Sequence, residues 1–64
     1  MEYFIVQYFY WSEGCRMNHS FETYLTNSYK LSEIKAVADR IVANNKDEIN
    51  GYYIAKQEIL ESNI

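Results

Sequence analysis

Residues 3–11 read Tyr-Phe-Ile-Val-Gln-Tyr-Phe-Tyr-Trp, a stretch in which only Gln7 is polar. Such a density of aromatic and β-branched residues is typical of a β-strand and not of a short surface helix. Because successive side chains of a strand point to opposite faces, both faces of this strand are apolar. One face carries Phe4, Val6, Tyr8 and Tyr10, and the other carries Tyr3, Ile5, Gln7, Phe9 and Trp11. We therefore expect a central strand that needs cover on both sides.

The length of the chain limits that cover. We expect its 64 residues to form a single domain over positions 1–64. A chain of this size buries only about 60% of the surface that it exposes when unfolded, so it can hardly supply a helical layer for each face. One aromatic face is therefore expected to stay partly open. An open aromatic face on a small protein is typical of a surface that binds a partner.

Composition indicates a soluble protein of the cytoplasm. The one cysteine, Cys15, has no partner for an internal disulfide, which favours a reducing compartment. The start of the chain lacks the features of a signal peptide, and no apolar run approaches the roughly 18 residues of a membrane span. Nine acidic and six basic residues give a net charge of −3. This charge weakly opposes direct binding to nucleic acid and weakly favours basic protein surfaces.

The segment after the first strand predicts a hairpin. Ser12-Glu13-Gly14 is a turn signal, because Gly14 can take the positive φ of a tight connection. Apolar and polar residues then alternate from Cys15 to Leu25, which predicts a half-buried strand at the edge of a sheet. We expect an inward face of Cys15, Met17, His19, Phe21, Thr23 and Leu25, and a wet face of Arg16, Asn18, Ser20, Glu22, Tyr24 and Thr26.

A helix is predicted next, because apolar residues recur at helical spacing after residue 30. They are Leu31, Ile34, Val37, Ala38, Ile41 and Val42. At about 100° per residue these side chains form one stripe. We expect Ser32 to cap the start with Glu33 in the first turn, and an asparagine of the 44–46 segment to end the helix in the left-handed conformation.

The last segment, Gly51 to Leu60, predicts a third strand and a polar tail. Tyr52 and Ile54 favour one inward register and Ile59 favours the other, which a bulge near Lys56 would reconcile. Together these elements predict an α+β fold of the type β-β-α-β. Its three-stranded sheet is built on the antiparallel hairpin, has the strand order 2-1-3 and carries one helix on one face.

No catalytic, metal or cofactor site is indicated. Cys15 and His19 lie about 13 Å apart if they share a strand, which is too far to chelate one ion without a bend. The carboxylates form no pair in an apolar pocket, so an enzyme is not expected. They are either a solvated surface or, in part, an array along the sheet edge that imitates phosphate. Interleaved lysines argue against a strong imitation of DNA.

The aromatic side chains of the uncovered face have three interpretations. In the first, they form a second core layer that is covered by the C-terminal tail or by a second copy of the chain. In the second, they form a docking surface for another protein, and in the third, a platform on which bases stack. Base stacking normally needs a basic groove, and only Arg16 is expected on this face. The residues predicted to bind a partner are Tyr3, Phe9, Trp11, Glu13, Glu22 and Tyr24.

The aromatic hairpin, a helix that opens Leu31-Ser32-Glu33-Ile34-Lys35-Ala36 and the further strand together resemble small phage-encoded inhibitors of bacterial defence, anti-CRISPR proteins in particular. The resemblance covers the whole chain as size, acidity and topology, and such inhibitors share no signature motif. It implies a non-enzymatic inhibitor in the host cytoplasm that binds and blocks a bacterial protein or ribonucleoprotein complex of the CRISPR-Cas kind. The alternative is a homodimeric regulatory or structural protein that buries the aromatic face against its own copy.

Overall fold

The computed structural model describes residues 1–58 and residue 60. Its elements are the strand β1 (Glu2–Ser12), the strand β2 (Cys15–Leu25), the helix α1 (Leu31–Asn44) and the strand β3 (Gly51–Glu58). The three strands form one sheet in the order β2-β1-β3, with β1 antiparallel to both neighbours. The predicted β-β-α-β arrangement with the aromatic strand in the centre is therefore confirmed.

A two-residue turn joins β1 to β2. Ser12 pairs with Cys15, and the residues between them, Glu13 and Gly14, have φ angles of 53° and 80°. Two consecutive positive φ angles are the signature of the type I′ hairpin turn, whose twist matches that of the strands. Gly14 takes the left-handed conformation expected of it, and Glu13 takes one as well.

The core lies between one face of the sheet and α1. Val6 and Tyr8 of β1 are buried there against Ile34 and Ala38 of α1. The partly buried residues packed around them are Phe4, Tyr24, Ile41, Val42, Tyr52 and Ile54. The connection from α1 to β3 adds Ile49, which is only 4% exposed. A single isoleucine in a polar loop has no periodic pattern, so the sequence did not identify it as a core residue.

Both ends of α1 differ from the prediction. Lys30, and not Ser32, occupies the N-cap position, and the Glu33 carboxylate accepts a hydrogen bond of 3.2 Å from the Lys30 amide. Glu33 thereby satisfies a backbone donor just outside the helix. At the other end Asn45 has a φ of −133°, and its side-chain amide donates to the Ile41 carbonyl at 2.7 Å. The asparagine thus ends the helix through its side chain and not through a left-handed backbone.

The apolar stripe of α1 is only partly buried. Ile34 and Ala38 face the sheet, whereas Leu31 and Val37 remain 53% and 38% exposed. A single helix covers the sheet along one narrow line of contact, so residues in the first turn or at the flank of the stripe stay in water.

The inward face predicted for β2 is wrong beyond residue 19. Tyr8 lies opposite Ser20 and Phe9 lies opposite Asn18, so His19 is an extra residue, a β-bulge. A shift of one residue moves every following side chain to the other face. Met17 opposite Tyr10 keeps the expected face, but the residues after the bulge are reversed. Ser20, Glu22 and Tyr24 lie on the helix side, opposite Tyr8, Val6 and Phe4.

The third strand follows the register that Tyr52 and Ile54 favour. These residues lie opposite Tyr8 and Val6, on the helix side of the sheet. The pairing runs without a shift from Gly51 to Glu58, so the bulge expected near Lys56 is absent from this strand. Ile59, which favoured the other register, lies outside the described residues.

Candidate binding surface

The face of the sheet turned away from α1 is called here the open face. Its large apolar side chains are exposed to an unusual extent: Trp11 by 58%, Phe21 by 62%, Tyr53 by 44% and Leu25 by 42%. Monomeric proteins rarely leave a contiguous apolar surface of this kind in water. By cross-strand pairing, the open face consists of Tyr3, Ile5, Gln7, Phe9, Trp11, Arg16, Asn18, Phe21, Thr23, Leu25, Gly51, Tyr53, Ala55 and Gln57.

Three of the predicted binding residues lie on the open face. The Tyr3 hydroxyl donates to the Gln57 side chain at 2.7 Å, which ties β1 to β3. The rings of Phe9 and Trp11 meet edge to face, with centroids 6.4 Å apart. Glu13 is exposed in the hairpin turn, at the end of the sheet beyond Trp11. The structure therefore brings Tyr3, Phe9 and Trp11 onto one surface and leaves Glu13 at its end.

Glu22 lies on the opposite side of the sheet because of the bulge. Its carboxylate accepts a hydrogen bond of 2.8 Å from the Tyr8 hydroxyl. Burial, and then this contact with Glu22, raise the pKa of Tyr8. In the described structure the Glu22 carboxylate therefore serves as the hydrogen-bond acceptor for the hydroxyl of the buried residue Tyr8.

Tyr24 lies on the helix side as well, with its ring edge to face against Tyr29 at a centroid distance of 5.0 Å. Burial, followed by the nearby Glu22 carboxylate, raises the pKa of Tyr24. Tyr24 also contributes to a depression beside residues of the open face. This depression of about 270 Å³ at the end of β2 is lined by Tyr24 together with Tyr3, Thr23 and Leu25.

Arg16 forms the centre of an aromatic cluster at the other end of the open face. Its guanidinium carbon lies 5.4 Å from the ring centroid of Phe9 and 5.7 Å from that of Tyr53. Both distances are within the range of cation–π attraction. Arg16 is also the cross-strand partner of Trp11. We call these four residues, Phe9, Trp11, Arg16 and Tyr53, the arginine cluster.

Three large members of the open face differ from, or are absent from, the sequence prediction: Phe21, Leu25 and Tyr53. The alternation in β2 predicts Phe21 and Leu25 on the inward face, because the bulge at His19 leaves no trace in it. A signal for Tyr53 is present in the sequence. This residue alternates with Tyr52 and Ile54, so the register that buries these two residues also places Tyr53 on the open face.

Charge is distributed unequally between the two faces. Among the strand residues of the open face that the structure describes, Arg16 is the only charged side chain and none is a carboxylate. Glu2, Lys56 and Glu58 lie on the helix side, where Lys56 and Glu2 form an ion pair of 3.3 Å. The chain is acidic as a whole, yet its open face is apolar with a single cation.

The polar residues around His19 have a structural explanation. The His19 ring lies edge to face against Tyr10, and its Nε2 is 3.8 Å from a carboxylate oxygen of Glu48. These contacts join the bulge of β2 to the connection before β3. Within residues 1–58 and 60, no group of three or more His, Cys, Asp or Glu side chains is arranged to hold a metal ion.

The 14 residues of α1 are too few to cross a membrane, and no other helix in the described part of the chain could do so. Compared with known proteins, the chain matches no family model, no curated protein and no solved structure. The open face is therefore the feature from which a function is inferred.

Proposed function

We propose that this protein is a non-enzymatic binding protein that docks through its open face on another protein and blocks it. The observation that supports this proposal is the exposure of Trp11, Phe21 and Tyr53 on the side of the sheet opposite α1. Tryptophan, tyrosine and arginine dominate the binding energy of most protein interfaces. The open face combines all three types within the arginine cluster.

The proposed partner is a bacterial defence complex of the CRISPR-Cas kind, which the protein would bind in the cytoplasm of a phage-infected cell. This narrower proposal is supported by the likeness to small phage-encoded inhibitors in size, topology and mild acidity. The net charge of −3 lies outside the described strand residues of the open face, so it adds long-range attraction to the basic surfaces of such complexes and does not form the docking contact itself.

Phage plating tests the inhibitor function. The chain would be expressed in bacteria whose active CRISPR-Cas system restricts a targeted phage. We expect the wild-type chain to restore plaque formation, and Trp11→Ala and Phe21→Ser to lose this effect. Truncation of one such anchor costs about 2 kcal/mol or more of binding. Leu31→Ala serves as the control, because Leu31 is exposed to a similar extent, 53%, but lies on α1. Full restriction in the presence of the wild-type chain would contradict the inhibitor function for that system.

Self-association is the second candidate, because the same exposed side chains would also be buried by a second copy of the chain. Light scattering at micromolar concentration separates the two. We expect the mass of one chain, 7.7 kDa. A species of twice that mass that Trp11→Ala converts to the single chain would favour the homodimer.

A further inference from the structure

We propose that the arginine cluster is a carboxylate-recognition point, which receives an aspartate or glutamate of the partner protein while neighbouring apolar side chains of the partner lie on Trp11 and Phe21. This inference rests on the proposed docking function and specifies the chemistry of what is docked. It concerns the end of the open face near the hairpin turn, where Arg16 meets the rings of Phe9 and Tyr53.

Arg16 is held ready for an anion. Contact with the Phe9 and Tyr53 rings restricts the guanidinium, while its N–H groups lie in the guanidinium plane and can donate two parallel hydrogen bonds to a carboxylate. The ion pairs within the described residues are His19–Glu48 and Lys56–Glu2, so Arg16 has no carboxylate partner among them. A side chain restricted in this way loses less conformational entropy on binding than a free one.

A second copy of the chain does not supply the missing anion. A two-fold symmetric contact between open faces would present the same residues from both sides. The paired strand residues of that face contain no carboxylate in the described structure, and Glu13 lies beyond them in the hairpin turn, outside the surface that such a contact would bury. Arg16 would then be buried without a counter-charge, which is strongly unfavourable. The arginine cluster therefore favours a different protein as the occupant.

A nucleic acid is also disfavoured as the occupant. Proteins that bind single strands combine stacking rings with a positively charged groove that follows the phosphates. The other basic residues do not provide such a groove, because Lys56 lies on the helix side of the sheet and the rest lie in α1 or its flanking segments. One guanidinium can pair one acidic group, but it cannot follow a phosphate backbone.

Selection from displayed random peptides tests the inference without knowledge of the natural partner. The full chain would be immobilised, and peptides that depend on the open face would be identified by their loss of binding to Trp11→Ala. We expect these peptides to be enriched in Asp or Glu next to a large aliphatic or aromatic residue. Fluorescence anisotropy would then compare one such peptide with its Asn or Gln counterpart.

The matched variants are Arg16→Gln and Arg40→Gln, since Arg40 is an exposed arginine of α1. We expect the loss of the peptide carboxylate and the change Arg16→Gln each to weaken binding by about tenfold or more, because a hydrogen bond to a charged group is lost. The two losses are expected not to add, since either one removes the same contact. Arg40→Gln should bind as the wild type does. Circular dichroism of every variant checks that the fold is kept.

The outcomes separate this inference from the docking function itself. Peptides that need Trp11 but show no preference for a carboxylate would overturn the carboxylate assignment and leave the docking function standing. A selection that yields no peptide dependent on Trp11 would overturn both. Binding of an oligothymidylate that is lost in Arg16→Gln and kept in Arg40→Gln would overturn the inference in favour of a nucleic acid.

Discussion

Glu22 is an acidic residue on the helix side of the sheet, although the alternation in β2 predicts it on the other face. It lies half-buried on the helix side, where the Tyr8 hydroxyl donates to it at 2.8 Å. Removing a carboxylate from water is costly unless a hydrogen bond compensates for the lost hydration. Tyr52 and Asp39 repeat the arrangement at 2.6 Å between β3 and α1. Phenolic hydroxyls thus allow acidic side chains to approach a core built from tyrosine.

Replacement of Tyr8 by Phe removes this donor while keeping the buried ring. We expect Tyr8→Phe to lower the free energy of unfolding by about 1–2 kcal/mol, because the Glu22 carboxylate loses its partner. Urea unfolding followed by circular dichroism measures the change. Tyr3→Phe is the control, since its hydroxyl bonds to Gln57 at an exposed position. An equal loss in both variants would mean that burial of Glu22 does not matter.

At the scale of the element, the bulge in β2 is the reason that the strands could be predicted from the sequence while the faces of the residues after His19 could not. The apolar density of β1 identified the central strand, and Gly14 identified the hairpin turn. The order of the elements then determined the topology. One extra residue at His19 nevertheless reverses the strand beyond it, because a strand has a period of two. The residue pattern of β2 contains no sign of the bulge. It therefore predicts Phe21 on the helix side and Tyr24 on the open face, and the structure has the reverse.

Substitutions at these two positions test the reversed register. Phe21→Thr should change the free energy of unfolding by about 0.5 kcal/mol or less, because its ring is in water. Tyr24→Thr should lower it by about 1–2 kcal/mol, because its ring packs against the core. Threonine keeps the strand propensity in both variants. Thermal or urea unfolding compares them, and the opposite order would indicate a strand without the bulge.

Gly51 at the start of β3 allows the Phe9 ring to lie over the backbone. A Cβ at this position would lie 2.7 Å from the Cζ of Phe9. Alanine for glycine in a strand normally stabilises by about 0.5–1 kcal/mol. We expect Gly51→Ala to bring no such gain, because the ring must move and its contact with Arg16 is disturbed. The Arg16 side-chain chemical shifts report that movement.

A double-mutant cycle isolates the contact between Gly51 and Phe9. In the background of Phe9→Ala the space above residue 51 is free, so Gly51→Ala should recover its ordinary stabilising effect. The same small effect in both backgrounds would show that the ring does not constrain this position.

At the scale of the whole molecule, the elements of residues 1–58 are one helix and a three-stranded sheet, and they leave one face of the sheet without a helical layer. This feature could be predicted from the number of elements alone, and Tyr3, Phe9 and Trp11 followed from the alternation in β1. The arginine cluster could not be predicted, because it depends on the relative register of three strands. Single-strand patterns contain no information about which residues meet across the sheet.

The stability of the whole fold should decrease at alkaline pH. Burial and Glu22 raise the pKa of Tyr8, and a hydrogen bond to Asp39, with burial, raises that of Tyr52. The unfolded chain releases these protons near the ordinary tyrosine pKa of about 10, whereas the folded chain retains them. The stabilising contribution is therefore complete below about pH 10 and is lost as the pH rises towards the raised values.

Urea unfolding at a series of pH values between about 8 and 11 measures this decrease. The Tyr8→Phe variant should show a shallower decrease than the wild type, because one of the titrating groups is gone. An unchanged free energy of unfolding across this range would contradict the raised pKa values.

The exposed thiol of Cys15 sits at the first position of β2, directly after the hairpin turn. Since Cys15 is the one cysteine in the chain, a maleimide reagent would attach a dye or a solid support at this single position. An anchor there would hold every molecule by the same tip of the hairpin. Because Cys15 and Arg16 are successive strand residues, a fluorophore there would lie on the side of the sheet opposite Arg16 and would leave the arginine cluster uncovered.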